Sequence, residues 1–317
     1  MSVTASALTN TFSMPGYLNK ENFPDLLSAQ FDEIKSRKWA RPVQGMKFFQ
    51  VDKTGKDYMK ESSIGGFGLM AESDDEDNVP MDHVIQGFDV THTPVDYRLA
   101  TRVSARLRET DQFSKIKGIQ SSLLQAPMDT TEYICVDPFN TGFGSNAKFL
   151  CGDGMYLFDS GRPFEDPGAG TWSNLETASA LTQAALATMR TNFRGTLNER
   201  GLKRPLVMKR LIVPPALEDT AREIITSSDK AHEMSNTTNV YKDKFEIHVW
   251  DYLTSSTAYF GTTMVDDLYE LKFVWRVKPQ SGSNTLSDNA QIMQHWVRMS
   301  CVTGCARPQA LRGNAGA

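Results

Sequence analysis

Residues 97–143 read YRLATRVSARLRETDQFSKIKGIQSSLLQAPMDTTEYICVDPFNTGF, and the rest of the chain is organised around this stretch. Its spacing of apolar residues, mostly three or four positions, is the helical period and predicts a long helix with one apolar stripe. Pro127 should interrupt the helix, because proline has no amide donor, and a second piece is expected from about Thr130 to Phe139. A turn at 109–111 that splits the first piece remains an alternative. The predicted stripe consists of Val103, Leu107, Phe113, Ile116, Ile119 and Leu123.

The composition is that of a globular protein. The chain has 317 residues, 40% of them hydrophobic and 23% charged, enough for one large domain or two smaller ones. Its net charge of -4 gives no global signal for nucleic acid. No window approaches the roughly 20 apolar residues of a membrane span, so no membrane partner is expected. Residues 1–10 lack a basic start and an apolar run, which predicts no secretory signal and folding in a cytoplasm.

Two segments of the chain have too little apolar surface to fold alone. Residues 1–20 are small and polar, and we predict an extended arm followed by a short helix that starts near Pro24. Residues 46–97 are predicted to form a long two-stranded excursion with a glycine-rich and acidic middle. An isolated hairpin of this length cannot bury a core, so something outside the hairpin must cover it. The acidic run at 72–77 is most simply explained as a solvated loop, and a cation-binding site is the more specific alternative.

The remaining pattern mixes helices and strands and predicts an α+β fold. The predicted elements are strands at 46–51, 85–90 and 97–103, a helix opened by Ser173-Asn174 and ending at Phe193, a strand at 206–213, a helix after Pro214-Pro215, strands at 245–249, 271–277 and 295–302, a polar loop at 278–290 and a small, polar tail after Pro308.

The sequence offers no catalytic constellation. Phosphate-binding loop and nucleophile-elbow motifs do not occur. Asp153, between two glycines, is better explained as a turn aspartate than as a general base. Cys301 and Cys305, with His295 nearby, lack zinc-knuckle spacing and are better explained as buried thiols than as a metal site. We therefore predict no catalytic, cofactor or metal residues.

A set of short motifs occurs in a fixed order along the chain. These motifs are Thr131-Glu132, Asn140 to Phe143, Asp153-Gly154, Leu157-Phe158, Ser173-Asn174, Leu211 to Glu218 with Ala221, Asn239-Val240, and Leu271 to Pro279 with Trp275. Their order resembles that of the major capsid proteins of tailed phages with the Hong Kong 97-type fold, and most closely the Mu-like major head subunit. One departure is Gly161-Arg162-Pro163, where that family often carries a histidine.

The resemblance implies a division of the chain into assembly parts. These are an N-terminal arm with a short helix (1–40), an extended loop (41–101), a peripheral domain that contains the spine helix (102–199) and the last strands with the C-terminal tail (266–317), and an axial domain (200–265). It implies a shell of hexamers and pentamers around double-stranded DNA, in a virion assembled in the cytoplasm of a host bacterium. Expected assembly contacts are Phe67, Glu72, Asp74 and Asp75, and expected DNA-facing residues are Lys203 and Arg204.

The expected partners follow from the same resemblance. A portal protein is implied, a decoration protein is an option, and a separate scaffolding protein is expected because the arm begins almost at once. Two other functions remain open at this point. One is an encapsulin-like compartment with an enzyme cargo, and the other is a soluble enzyme that uses Asp153 or the two C-terminal cysteines. Surface solubility is the simpler explanation of Lys203 and Arg204.

Overall fold

A computed structural model gives the fold of the chain. It describes residues 43–64, 66–70, 81–104, 115–144, 149–166, 170–227, 239–242, 244–263, 271–287 and 292–317, together with Lys35, Trp39, Glu72, Val79 and Gly168. The predicted arm, apart from Lys35 and Trp39, lies outside these residues. So do the first half of the predicted apolar stripe from Leu107 to Phe113 and the alternative turn at 109–111.

The described residues combine helices and strands. The α-helices with described bounds are α1 (Lys115–Asn140), α2 (Gln183–Arg194) and α3 (Glu218–Thr226), and 3-10 helices cover Gly45–Phe48 and Pro215–Leu217. The strands are β1 (Gln50–Lys53), β2 (Met59–Ile64), β3 (Gln86–His92), β4 (Val95–Ser104), β5 (Arg162–Pro163), β6 (Thr171–Trp172), β7 (Leu175–Glu176), β8 (Arg210–Val213), β9 (Glu246–Val249), β10 (Tyr259–Thr262), β11 (Leu271–Ser287), β12 (Ile292–Cys305) and β13 (Leu311–Asn314).

The described strands form two larger sheets and two ribbons. One sheet has the order β1-β11-β12-β4 and the other the order β7-β13-β10-β8-β9, while β2 pairs with β3 and β5 with β6. The five-stranded sheet is mixed, because β13 pairs parallel with β7 and antiparallel with β10, and β8 pairs parallel with β9. The predicted α+β class is confirmed.

The chain divides into two compact units. Among the described residues of the smaller unit, Leu123, Leu124 and Val297 form an apolar cluster with Trp39. The larger unit contains two apolar cores, and the predicted division into peripheral and axial domains stays a prediction. The smaller unit comprises Met1–Pro42, Arg98–Met128 and Pro279–Arg298, and the larger unit comprises Val43–Tyr97, Asp129–Lys278 and Met299–Ala317.

The central helix differs from the prediction in its start and its continuity. Val103 belongs to strand β4, and α1 runs unbroken from Lys115 to Asn140 through Pro127. Proline brings no N–H to a helix and usually bends or breaks it. Here the indole N–H of Trp39 donates to the carbonyl oxygen of Leu124 at 2.9 Å, in the turn that precedes the proline. A side-chain donor from outside the helix thus supports the turn that proline weakens.

The predicted helix from Ser173 to Phe193 begins too early. Helix α2 starts at Gln183, and Thr182 caps it by accepting a bond from the Ala185 amide at 3.2 Å. Asn174 is instead buried, and its side-chain amide donates to the carbonyl of Leu157 at 2.7 Å. The first residues of the predicted helix therefore form tertiary hydrogen bonds and strand β7 instead. Local capping preference does not reveal these partners.

Strand lengths account for most of the other differences. The predicted polar loop at 278–290 is wrong over its first part, because β11 continues to Ser287. The predicted strand at 206–213 forms only from Arg210, and the strand at 46–51 is replaced by a 3-10 helix followed by β1. The tail predicted to be small and polar contains β13, whose four residues are all buried. The strand at 245–249, as β9, and the helix after Pro214-Pro215 are confirmed.

Aromatic side chains fill the core beside the C-terminal half of α1. Phe139 is fully buried and contacts Phe158, Trp250 and Phe260 with ring centroids 5.2 to 6.2 Å apart. Such tilted and edge-to-face pairs contribute beyond the area they bury. Gly313 in β13 lies against the ring of Phe158, where an added Cβ would approach ring carbons at 2.7 Å. Close packing at this point therefore requires glycine.

We expect Gly313→Ala to destabilise the fold by about 1–3 kcal/mol, because the new methyl group would overlap the Phe158 ring in a fully packed core. Urea denaturation followed by tryptophan fluorescence measures the change. Gly161→Ala is the matched control, since an added Cβ there meets no atom within 4 Å. Equal stability of the two variants would contradict this packing.

Candidate assembly site

The extended loop, here residues 46–95, is built on the antiparallel pairing of β2 with β3. The register joins Met59 to His92 and Ile64 to Gln86, with an irregularity between Ser62 and Ile64. Salt-bridged Lys60 and Asp89, with nitrogen and oxygen 2.8 Å apart, lie on exposed positions of this ribbon. A two-stranded ribbon is therefore present, but its first strand is β2 and not the predicted strand at 46–51.

The root of the loop is fixed to strand β11 by a charge cluster. The ammonium nitrogen of Lys272 lies 2.7 Å from a Glu61 carboxylate oxygen and 4.0 Å from an Asp52 oxygen. Nε2 of buried His92 lies 3.6 Å from the second oxygen of Glu61. His92 and Lys272 lower the pKa of the Glu61 carboxyl to about 2, against the effect of burial. The cluster therefore holds an ionised carboxylate at the base of the ribbon.

Two glycines allow the root of the loop to pack closely against the rest of the larger unit. At Gly304 an added Cβ would lie 2.0 Å from Nδ1 of His92, so any larger residue would displace the imidazole. At Gly152 an added Cβ would lie 2.6 Å from a methyl group of Val90 in β3. The root is thus packed closely as well as paired by charge.

A buried carboxylate of α1 ties down the segment that leads into the loop. Oε1 of Glu132 accepts a bond from the amide of Gly45 at 3.0 Å and one from the indole N–H of Trp250 at 2.6 Å. Burial raises the pKa of the Glu132 carboxyl, while these donors oppose the rise. The start of the loop, the central helix and the residue after β9 therefore meet at one side chain.

The described part of the loop tip carries exposed apolar side chains. Phe67 is 64% exposed, Met70 99% and Met81 98%, and Leu69 and Val79 are also exposed. Glu72 is exposed, whereas Asp74 and Asp75 lie outside the described residues. Exposed apolar residues concentrated on one thin loop differ from the single, scattered apolar residues of an ordinary protein surface.

A polar contact joins the loop to the turn at 198–201. The carboxylate of Asp82 accepts a bond from the amide of Gly68 at 2.7 Å and two from the guanidinium of Arg200 at 2.8 and 3.0 Å. Arg200 also donates to the carbonyl of His83. The Gly68 amide and Arg200 lower the pKa of Asp82, so its carboxylate is ionised at neutral pH. We call Gly68, Asp82 and Arg200 the clasp.

Arg162 is a fully buried cation that holds together the loops after α1. Its guanidinium lies 2.6 Å from Oδ2 of Asp153, donates to Oδ1 of Asn174 at 3.1 Å, and donates to the carbonyl of Tyr156. The other Asp153 oxygen accepts the Met155 amide at 3.2 Å, as a turn aspartate does. Asp153 is therefore committed to structure in this fold.

Two further arginines near the C-terminus, Arg312, which is buried, and Arg307, which is half-buried, have acidic partners. Arg312 in β13 lies 3.1 Å from Glu176 in β7, and Arg307 pairs with Glu199. Burial lowers the pKa of both guanidinium groups, while Glu165 opposes that effect at Arg307 and Glu176 opposes it at Arg312. These pairs fasten the last strand and the segment before it into the larger unit.

The sequence-predicted residues occupy different surroundings. Lys203 is exposed and Arg204 half-buried, just after the turn that holds Arg200, while Phe67 precedes Gly68 of the clasp. Sequence reasoning missed Arg162, Arg200 and Glu132, whose roles depend on partners far along the chain. For Arg162 the only signal was its position between a glycine and a proline in an otherwise polar turn.

The two C-terminal cysteines are buried, free thiols. Burial raises the pKa of Cys301 to about 12, which keeps it protonated and unreactive at neutral pH. Within the described ranges, no group of three or more histidine, cysteine or acidic residues could hold a metal ion. Of the helices that the structure describes, none is both long and apolar enough to cross a membrane.

The Glu61 cluster predicts a specific acid sensitivity. A carboxyl whose folded pKa is lowered stabilises the fold above its unfolded pKa, and this contribution disappears as pH falls toward about 2. We expect Glu61→Gln to be less stable than wild type at pH 7, and the difference in unfolding free energy to shrink as pH falls below about 4.5. A difference that stays constant from pH 7 to 2.5 in urea titrations would contradict the cluster.

We expect Arg162→Gln to cost about 3–5 kcal/mol, because it leaves the Asp153 carboxylate buried without its cation. Arg222→Gln is the control, since Arg222 forms an exposed pair with Glu218 and its loss should cost less than about 0.5 kcal/mol. Chemical denaturation compares the two. Similar small effects would show that Arg162 does not hold these loops.

Comparison with known proteins finds a family model similar to part of the chain and solved structures that share the fold of most of it. Residues 166–253 match the family model described as the Mu-like prophage major head subunit gpT. No curated protein matches the sequence.

Solved structures from phages match over most of the chain at low identity. A Mycobacterium phage Patience structure has a TM-score of 0.58 at 11% identity, over 93% of this chain and 88% of that one. A Microbacterium phage Oxtober96 structure has 0.55 at 8%, over 87% and 92%. The capsid of bacteriophage JBD30 decorated with minor capsid protein trimers has 0.53 at 11%, over 68% and 92%. Residues 166–253 are thus similar to the Mu-like prophage major head subunit family, and the fold of the chain is the Hong Kong 97-type fold.

Proposed function

We propose that this protein is the major capsid protein of a tailed phage or prophage and that its copies assemble the icosahedral head. The observation that carries the proposal is the match of residues 166–253 to the major head subunit model. The loop supports it, since a two-stranded ribbon with exposed apolar residues at its tip cannot cover itself. Copies arranged as hexamers and pentamers would close such repeated contacts into a shell.

In this proposal the loop reaches a second copy of the chain. Phe67 and Glu72 are both exposed, as a contact with another subunit requires before assembly. The charge cluster at Glu61 would hold the base of the ribbon while its tip binds. Asp74 and Asp75 remain proposed contacts on the basis of the resemblance alone.

The shell would enclose double-stranded DNA and would make this protein part of the virion after assembly in a bacterial cytoplasm. Lys203 and Arg204 are proposed to face the DNA, and exposed Lys203 can neutralise phosphate without reading sequence. A separate scaffolding protein and a portal are proposed partners. A decoration protein is a further proposal, supported by the JBD30 capsid, which is decorated with minor capsid protein trimers. The proposed role is structural rather than enzymatic.

The alternatives have less support. An encapsulin-like shell would share the fold, but the family match is to a phage head subunit. A soluble enzyme based on Asp153 conflicts with the Arg162 ion pair and the turn hydrogen bond that occupy both carboxylate oxygens.

Electron microscopy of the purified protein under capsid-forming conditions should show closed shells. Replacing residues 66–84 by a short glycine-serine linker should leave a soluble protein that forms none, because the ribbon would lose its apolar tip. Only monomers and dimers from the wild type would contradict the proposed function.

The control for this deletion keeps the ribbon and alters an exposed residue elsewhere. Arg222→Gln should assemble as the wild type does, since its side chain is 61% exposed on α3. Normal shells from the loop deletion would refute the role of the loop while leaving the shell function intact.

A further inference from the structure

The clasp is the described polar link between the loop tip and the turn at 198–201. Asp82 bridges both limbs of the tip to this turn, because it binds Gly68 on one limb, lies on the other, and receives two bonds from Arg200. The receiving turn is well ordered by its own bonds. Oδ1 of Asn198 accepts the amides of Arg200 and Leu202 at 3.0 and 2.8 Å. Arg200 is thus presented at a fixed place.

The closed clasp does not cover the apolar side chains of the tip. Leu69 and Val79 remain 82% and 81% exposed, and the methionines are almost fully exposed. A contact of the tip that was stabilised by apolar burial would cover these residues, because each apolar side chain removed from water stabilises the folded state. The tip is held by polar bonds while its apolar surface stays open to solvent.

The chemistry of the clasp makes it reversible. The Arg200 side chain is only 14% exposed, but the Asp82 carboxylate is 40% exposed, and an ion pair in contact with water contributes little and is weakened by salt. The root of the loop differs in its carboxylate, because Glu61 is 26% exposed and also lies against the buried imidazole of His92. The tip can therefore be released while the root remains attached.

From these contacts we infer that the clasp is an autoinhibitory contact, which keeps the loop of an unassembled subunit against its own turn at 198–201 and must open before the tip binds a second copy. The inference rests on the proposed shell function. It assigns Arg200 a role that neither the motif order nor the family match supplies. Release exchanges a weak polar bond within one chain for apolar burial between two chains.

A reversible crosslink tests the inference directly. The double variant Asp82→Cys/Arg200→Cys, treated with a reductant-cleavable bis-maleimide, fixes the clasp closed in the full chain. The four native cysteines are buried and should not react in the folded protein. We expect crosslinked monomers to form no shells in electron microscopy and light scattering, and reductant to restore assembly. Shells from the crosslinked chain at the yield of the reduced chain would overturn the inference.

The matched control places the same crosslink away from the loop. Glu218→Cys/Arg222→Cys joins an exposed pair one turn apart on α3, and this crosslinked chain should assemble normally. A wild type that forms no shells would overturn the proposed function itself, whereas shells from both wild type and the crosslinked clasp would overturn the clasp alone.

A milder variant gives a kinetic reading without a crosslink. Arg200→Gln removes the charge that holds Asp82, so initial assembly should be about two- to fivefold faster, the range that an exposed ion pair can supply. Hydrogen exchange at the Gly68 amide in unassembled protein should also become faster in Asp82→Ala, which removes the acceptor. Slower assembly of Arg200→Gln with unchanged exchange in Asp82→Ala would overturn the inference.

Discussion

A single buried carboxylate, that of Glu132, joins the parts of the larger unit that must stay in register. Its oxygen receives bonds from the segment before the extended loop and from the indole that follows β9, while its backbone belongs to the central helix. A buried carboxylate is costly unless hydrogen-bond donors replace the water that it has lost. The three parts are held together because the two donor segments must stay within hydrogen-bonding distance of Glu132 on the helix. Around it, stacked and edge-to-face aromatic rings fill the space that this geometry leaves.

The attachment of the loop is also determined by what it can bury. Its ribbon has no core of its own, and the protein compensates at the root with close backbone packing at Gly304 and a covered charge cluster around Glu61. Beyond the root, the described residues of the tip have exposed apolar side chains and a water-accessible ion pair. Firm attachment at one end and weak attachment at the other suit a segment that changes partners during assembly.

Sequence patterns predicted the elements whose apolar spacing is regular. The helix after Pro214-Pro215 and the alternating strand at 245–249 were confirmed for this reason. The order of motifs predicted the fold class. Patterns failed where tertiary partners override local preference: Trp39 supports the helix through Pro127, and Asn174 serves a loop instead of capping a helix.

The site was less predictable than the fold. Acidic residues of the tip were expected to matter as a run, yet the described carboxylate that binds across the chain is Asp82, which lies past that run. Buried Arg162 and Arg312 could not be inferred, because a charged residue next to glycine or proline ordinarily indicates a surface turn. Their acidic partners lie 9 and 136 positions away.

Strand β13 lies between β7 and β10 inside the five-stranded sheet, although it is formed by residues 311–314. A ribosome synthesises residues 175–262 before these four. Strands β7 and β10 are therefore made before β13, the strand that pairs with both. The sheet cannot close during translation of its earlier strands, and a nascent chain therefore lacks a completed subunit body. Formation of the complete sheet therefore has to follow synthesis of residues 311–314.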